Sequence, residues 1–329
     1  MPGVRSSGED LDGELIGVDV GGTKVFAVRL QVPEGSAAPE VVDSVEAASD
    51  AGAPGVLDAI TDAATTLADR GGPPAAIGLG LAGFVDEAGI VRTAPNAAGL
   101  VGLDVGGMVA KRLGVPCVID NDANCVAVAA RAALGEGVSD LVAVTLGTGI
   151  GGGVIVGGQL VRGGRGYAGE PGHMVVDRNG PICPCGQRGC WERYASGSAL
   201  SEAIALAVAS GRLERTDVPA DTGTDLVRAA GLGVSGAVEV LSEFASWVAL
   251  GVAGLIAVLD PMVVAIGGGL SAMGDALLDA VNHQLATHHA VMVEDRPPRI
   301  VLAPGGPAAG AIGAAVLAGQ RIGGAPPGA

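Results

Sequence analysis

Twice in this sequence an apolar run breaks at a cluster of glycines and resumes as a second apolar run. Leu15–Val20 leads through Gly21-Gly22 into Val25–Leu30, and Leu141–Leu146 leads through Gly147–Gly153 into Val154–Val156. Such runs predict buried strands, and the glycines between them predict turns, so each stretch is expected to form a hairpin. The recurrence predicts a structural repeat, one copy per domain. A chain of 329 residues has room for two domains of ordinary size. Further strands are predicted at 76–81, 115–120, 262–266 and 299–302. They alternate with helical spacing at 55–69, 105–113, 122–134, 198–210, 225–230, 234–259, 275–287 and 308–318. Alternation of this kind predicts an α/β fold. Residues 163–193 carry neither period and read as irregular. Aromatic residues are 2% of the chain against 49% hydrophobic, so Ala, Val, Leu and Ile must fill the cores.

The formal net charge of −16 opposes binding to nucleic acid and to anionic membranes. A local site for a polyanion is still compatible with it, provided backbone N–H groups and a divalent metal supply the positive potential. Met1–Gly13 is polar and acidic and does not read as a secretory signal. The apolar run Val248–Leu259 ends at Asp260-Pro261 and is expected to be too short to cross a bilayer. Five cysteines in a chain without such a signal argue for a reducing, cytoplasmic setting rather than a disulfide framework.

The loop Asp19-Val20-Gly21-Gly22-Thr23-Lys24 has the parts of a phosphate site. Gly21 and Gly22 let backbone N–H groups approach a phosphate chain, Thr23 adds a hydroxyl, Lys24 adds charge, and Asp19 can hold Mg2+ through water. An ordinary hairpin turn would use the same glycines. Gly78-Gly80-Gly83 and Gly147-Gly149-Gly152 match the spacing of a dinucleotide fingerprint. Neither is predicted to open a helix, so that reading is rejected. A second phosphate clamp is proposed at Gly147, Thr148, Gly149, Gly151 and Gly152. Gly267-Gly268-Gly269 follows a buried strand at its carboxyl end, where α/β proteins often hold ligands, although a plain helix-entry turn fits as well.

His173, Cys183, Cys185 and Cys190 follow the pattern H-x9-C-x-C-x4-C. One histidine and three cysteines complete a tetrahedral Zn2+ set and leave no open coordination position, so the metal is expected to be structural. Asn121-Asp122 stands between a predicted strand and a helix. It reads either as a helix cap or as a site carboxylate that takes a proton during phosphoryl transfer. Glu170 and Glu192 flank the metal pattern, which would hold both in place, and paired carboxylates suit a sugar with several hydroxyls. Asn96 is a further polar candidate, or a turn residue after Pro95.

Together these residues resemble the ROK family of sugar kinases and transcriptional repressors, above all its zinc-containing bacterial glucokinases. The motifs are Asp19–Lys24, Pro95-Asn96, Asn121–Asn124, Gly147–Gly153, Gly169–His173 and Cys183–Glu192, continued by Tyr194, Ser196 and Gly197. The resemblance implies two actin-like (ribonuclease H-like) ATPase domains around a central cleft. A disordered tail is expected at 1–13 and a first domain at 14–120, with a helix at 308–320 packing back on it. The second domain is expected at 121–307, with a zinc-binding insertion at 163–197. The resemblance implies Asp122 as catalytic base and Asn96, Asn121, Asp122, Glu170, His173 and Glu192 around the sugar. It implies that the two glycine loops hold ATP phosphates and that Gly267–Gly269 borders the nucleoside. Glucose is the expected acceptor, with N-acetylmannosamine, mannose or fructose as alternatives and polyphosphate as an alternative donor. Family members commonly form dimers or tetramers. The family's repressors carry a DNA-binding module ahead of the first loop, for which Asp19 falls too early. Pro171 departs from the larger apolar residue usual between Glu and Gly in this motif, which bears on sugar selectivity.

Overall fold

The structure is a computed structural model that describes residues 14–22, 24–31, 38–49, 52–288 and 297–323. The tail at 1–13 and Thr23 lie outside these residues. The chain divides into two compact units. Element labels below run along the chain.

The first unit comprises residues 1–139, 157–168 and 307–329. Its sheet is built from β1 (Leu15–Val20), β2 (Lys24–Gln31), β3 (Glu40–Ala48), β4 (Ala76–Leu81) and β7 (Cys117–Asn121), in the order β3-β2-β1-β4-β7. β1, β2 and β3 form an antiparallel meander, while β4 and β7 run parallel to β1. A small hairpin, β5 (Phe84–Val85) with β6 (Val91–Thr93), follows Gly83, where no helix is predicted, and β10 (Gln159–Leu160) is a short strand. One core of the unit forms where α1 (Ala53–Gly71) buries Val56, Leu57, Ile60, Ala64 and Leu67 among Ile16, Val18, Ile77 and Leu79. α2 (Val105–Leu113) contributes Val105 and Val109 to the same core and is capped by the Asp104 side chain, which accepts from the Gly107 N–H.

α9 (Ala309–Ile322) packs against β1, β4 and α3 (Asp122–Leu134) at unusually close range. A Cβ at Gly17 or Gly78 would overlap the carbonyl oxygen of Ala311 or Ala314, and one at Gly313 would overlap the Cys125 carbonyl. Glycine at 78 thus serves helix-on-sheet packing, and no dinucleotide turn follows it. The bounds of the compact units differ from those of the expected domains. α3 belongs with the first unit because Gly313 seats α9 directly on it, and residues 163–168 belong there too.

In the second unit, residues 140–156 and 169–306, β8 (Leu141–Leu146), β9 (Ile150–Val156), β11 (Val263–Gly267) and β12 (Arg299–Leu302) follow the order β9-β8-β11-β12. β8 and β9 are antiparallel, whereas β11 and β12 run parallel to β8. That sequence of strands repeats β2-β1-β4-β7, and each unit carries the actin-like (ribonuclease H-like) pattern. β9 begins at Ile150, earlier than expected, so Gly151, Gly152 and Gly153 are strand residues rather than loop.

The remaining helices of this unit are α4 (Glu192–Ala195), α5 (Gly197–Ala209), α6 (Gly223–Gly231), α7 (Ser235–Leu259) and α8 (Asp275–His288). With 25 residues, α7 is long and apolar enough by length and composition to cross a membrane, which the shorter run Val248–Leu259 alone did not suggest. Its buried face, including Phe244, Val248, Val252 and Leu255, forms the core of the unit instead. Gly251 makes room on α7 for the fully buried Trp191, whose Nε1 donates to the Trp247 carbonyl at 2.7 Å.

Candidate active site

The carboxyl ends of β1, β4 and β7 bring together most of the first unit's candidates. Asp19 on β1 pairs in register with Gly80 on β4, which pairs with Asp120 on β7. Asn121 ends β7, and Asp122 opens α3 one residue later. The turn after β1 is closed by the Gly21 N–H donating to the Lys24 carbonyl at 3.0 Å. Gly22 lies against Asn96, so closely that a Cβ there would stand 3.0 Å from the Asn96 Cβ. Lys24 is exposed and reaches Glu46 on β3 at 2.8 Å, a partner the sequence pattern does not announce.

Asn121 is a helix cap. Its Oδ1 accepts from the Asn124 N–H at 3.0 Å and its Nδ2 donates to the Gly83 carbonyl at 3.1 Å. Both ends of the side chain are therefore engaged, and its capping role holds whatever else it does. Asp122 is half-buried and accepts from the Ala123 N–H at 2.9 Å. Burial raises its carboxyl above the usual range, more than the hydrogen bonds of the corner lower it. Asp19 is pushed up to about 7, first by burial and then by the charge of Asp122. Two acids with enhanced proton affinity in one place make this corner a candidate functional site. Gly310, in the first turn of α9, leaves room for the Asp19 carboxylate.

The second unit brings the remaining candidates together. The loop Gly147-Thr148-Gly149 is closed by the Gly147 N–H donating to the Gly149 carbonyl at 3.0 Å. It is braced by Gly197 N–H on the Gly147 carbonyl at 2.7 Å and by Ser198 Oγ on the Thr148 carbonyl at 2.8 Å. Gly267 ends β11, Gly269 opens a short helical turn, and Gly268 between them has φ 79 and packs against the Leu146 backbone. The loops at Gly147–Gly149 and Gly267–Gly269 therefore adjoin, at the ends of neighbouring parallel strands. Gly152 has a packing role: a Cβ there would stand 2.5 Å from the Pro171 ring, which seats the turn Pro171–His173 on β9. Glu170 precedes that turn.

His173, Cys183, Cys185 and Cys190 offer donor atoms that all lie within 4.8 Å of one another. His173 Nδ1 is 3.8 Å from Cys183 Sγ, and Cys185 Sγ is 3.6 Å from Cys190 Sγ. Tetrahedral zinc with Zn–S bonds of about 2.3 Å needs sulfurs about 3.8 Å apart, so the four residues fit the metal. Glu192 adjoins this cluster. Its Oε1 is 2.8 Å from Cys183 Sγ and 3.7 Å from His173 Nδ1. Its Oε2 would be 2.8 Å from a Cβ at Gly149, so one carboxylate spans the metal ligands and the Gly147 loop.

Spacing does not single out Asp120, Arg162 and Ser198. Asp120 and Arg162 carry no motif of their own, and Ser198 reads as an ordinary helix start. Only the fold shows that each holds a site segment.

The sequence matches the ROK family over residues 15–321. It is 36% identical over 285 residues to the glucokinase of Streptomyces coelicolor, covering 82% of this chain and 86% of that protein. The crystal structure of a ROK family glucokinase from Streptomyces griseus, in complex with glucose and AMPPNP, superposes with a TM-score of 0.80 at 36% identity. That match covers 94% of this chain and 100% of the other. A putative xylose repressor from a Caldicellulosiruptor species is 35% identical over 231 residues, 66% of this chain but 57% of the repressor.

Proposed function

The chain belongs to the ROK family, and from that premise we propose that it is a glucokinase, transferring the γ-phosphoryl group of ATP to the 6-hydroxyl of glucose. ATP-dependent phosphorylation of a sugar is its activity; glucose as the acceptor and the residue roles below are the proposal. The observation that carries it is the Asp122 carboxylate, half-buried at the carboxyl end of β7 with its proton affinity raised by burial.

A hydroxyl attacking phosphorus must lose its proton, and a carboxylate tuned upward is a better acceptor for it than an ordinary one. Asp122 takes that proton. Asn96, Asn121, Glu170, His173 and Glu192 bind the sugar hydroxyls. The His173 ring turns Nδ1 toward the thiols, which leaves Nε2 for a hydroxyl. Asp19 would hold Mg2+, which neutralises charge on the phosphates. Backbone N–H groups of Gly22, Thr148 and Gly149 cradle the phosphates, while Gly21 and Gly147 shape the two turns by closing them with their own N–H groups, with the Thr23 hydroxyl, Lys24 and the β9 residues Gly151 and Gly152 nearby and Gly267–Gly269 beside the nucleoside. Zinc on His173, Cys183, Cys185 and Cys190 would supply rigidity alone, fixing His173 and Glu192. Five cysteines, none of them in a disulfide, accord with a reducing cytoplasm.

A coupled assay with ATP-Mg2+ against glucose, mannose, fructose and N-acetylmannosamine tests the assignment. Glucose is expected to give the highest kcat/KM, and preference for another hexose would replace it. Polyphosphate in place of ATP is expected to be a poor donor. A repressor reading is opposed by the net charge of −16, and a gel shift with DNA tests it.

A further inference from the structure

The corner that carries Asp122 is held from below by one carboxylate. Asp120 Oδ1 accepts from the Asn121 N–H and from Asn124 Nδ2, each at 2.8 Å. Its Oδ2 accepts from Arg162 Nε at 2.8 Å and lies 2.8 Å from Nη2 of the same guanidinium. Asp122 therefore lies between two residues, Asn121 and Asn124, both tied to Asp120 and joined to each other by the cap. The side chains of Asp120 and Arg162 are 12% and 25% exposed, and Asn124 is 3% exposed. The pair borders a cavity of about 10 Å3, room for about one water.

This arrangement exceeds what the fold alone requires. β7 is already paired to β4, and α3 is already capped by Asn121. Asp120 adds a third carboxylate to a sheet end that holds Asp19 and Asp122, which is costly unless a cation answers it. Arg162 answers it at Oδ2 while Asn121 and Asn124 donate to Oδ1, so both oxygens of the carboxylate are held. We infer that Arg162 and Asp120 form a positioning pair that holds the Asn121-Asp122 corner in its working orientation. The inference rests on Asp122 as the base. Neither residue of the pair touches substrate; both act through the backbone and amide groups they hold.

The experiment compares Arg162→Ala, Arg162→Lys, Asp120→Asn and the double variant Arg162→Ala/Asp120→Asn, with Arg321→Ala from the same cavity wall as control. Steady-state kinetics with glucose and ATP-Mg2+ are read beside thermal unfolding and active-site titration. Arg162→Ala is expected to lower kcat about 10²-fold, the scale of a small misplacement of a reacting group. The glucose KM should rise far less than kcat falls, since Asn121 is one of five residues assigned to the sugar and the other four are not held by the pair. Arg162→Lys should recover part of the rate, the double variant should be no slower than the slower single, and Arg321→Ala should match the parent.

A folded Arg162→Ala with parental kcat, or single effects that multiply in the double variant, would overturn the pair. Should Arg162→Ala fail to fold, the conservative Asp120→Asn and Arg162→Lys decide. A lower kcat per titrated site supports positioning, and an unchanged kcat per site with fewer active molecules refutes it. Asp122→Asn is run alongside. Near-normal turnover there overturns the base itself, whereas a slow Asp122→Asn with a normal Arg162→Ala overturns only the positioning.

Discussion

Asp122 and Asp19 are both carboxylates whose burial favours the proton, and they lead to separate predictions. Asp122→Asn keeps the shape of the side chain and removes its basicity. Turnover is expected to fall about 10²-fold or more, with folding and glucose affinity retained. Near-parental kcat measured with a coupled assay would remove the role. For Asp19 the readout is stability. Its carboxyl lies near 3.8 in the unfolded chain and about 7 in the folded protein. Between those values the folded state binds more protons, so this residue's contribution to stability falls as pH rises from about 4 to about 7 and levels off beyond. Asp86 and Asp225 work in the opposite sense, because hydrogen bonds lower their carboxyls and their contribution is lost toward acid. The test is therefore a difference. Thermal unfolding of the metal-free parent minus that of Asp19→Asn should show a decline confined to that window, and a flat difference would contradict the shift.

At the scale of elements, close approach is the recurring device. α9 lies on β1 and β4 because Gly17 and Gly78 have no side chain, and the turn Pro171–His173 lies on β9 because Gly152 has none. Gly78→Ala places a methyl against backbone that cannot rotate away, and is expected to cost about 1–3 kcal/mol of stability, measured by denaturant midpoint. Gly152→Ala should act differently, displacing the turn that carries His173 and raising the glucose KM more than it lowers stability. Zinc removal belongs to the same scale. Verified zinc-free protein is expected to bind glucose more weakly, since Glu192 and His173 lose their support, and calorimetry showing unchanged affinity would refute the bracing. The longest strand missed by pattern reading is β3. As an edge strand it exposes alternate residues from Val42 to Ala48, including Ser44 and Glu46, so it lacks the apolar signal of its buried neighbours.

At the scale of the molecule, the first unit is assembled from three separated stretches of chain. Its last helix arrives after the whole second unit. α9 buries Ala311, Ala314, Ala315 and Ala318 against the sheet and α3. A chain truncated after Gly306 is expected to leave that apolar face of Leu15, Leu30 and Ala76 uncovered and to aggregate on expression. Soluble, monodisperse truncated protein in gel filtration would show that the helix is dispensable.

Glycine between apolar runs, the spacing of one histidine and three cysteines, and Asn-Asp at a strand end are local facts. Hairpins, metal sets and helix entries are local structures, so the α/β class, the clustering of His173 with three cysteines and the place of Asn121-Asp122 at a strand end were legible in the sequence. What it leaves open depends on groups far apart along the chain. Whether Gly152 serves a ligand or Pro171, whether α3 joins the first unit or the second, and which cation answers Asp120 are questions of packing and charge in three dimensions. No periodicity encodes the approach of Arg162 to Asp120 across forty-two positions. Only the folded backbone brings them within hydrogen-bond distance, and burial then gives the pair its strength.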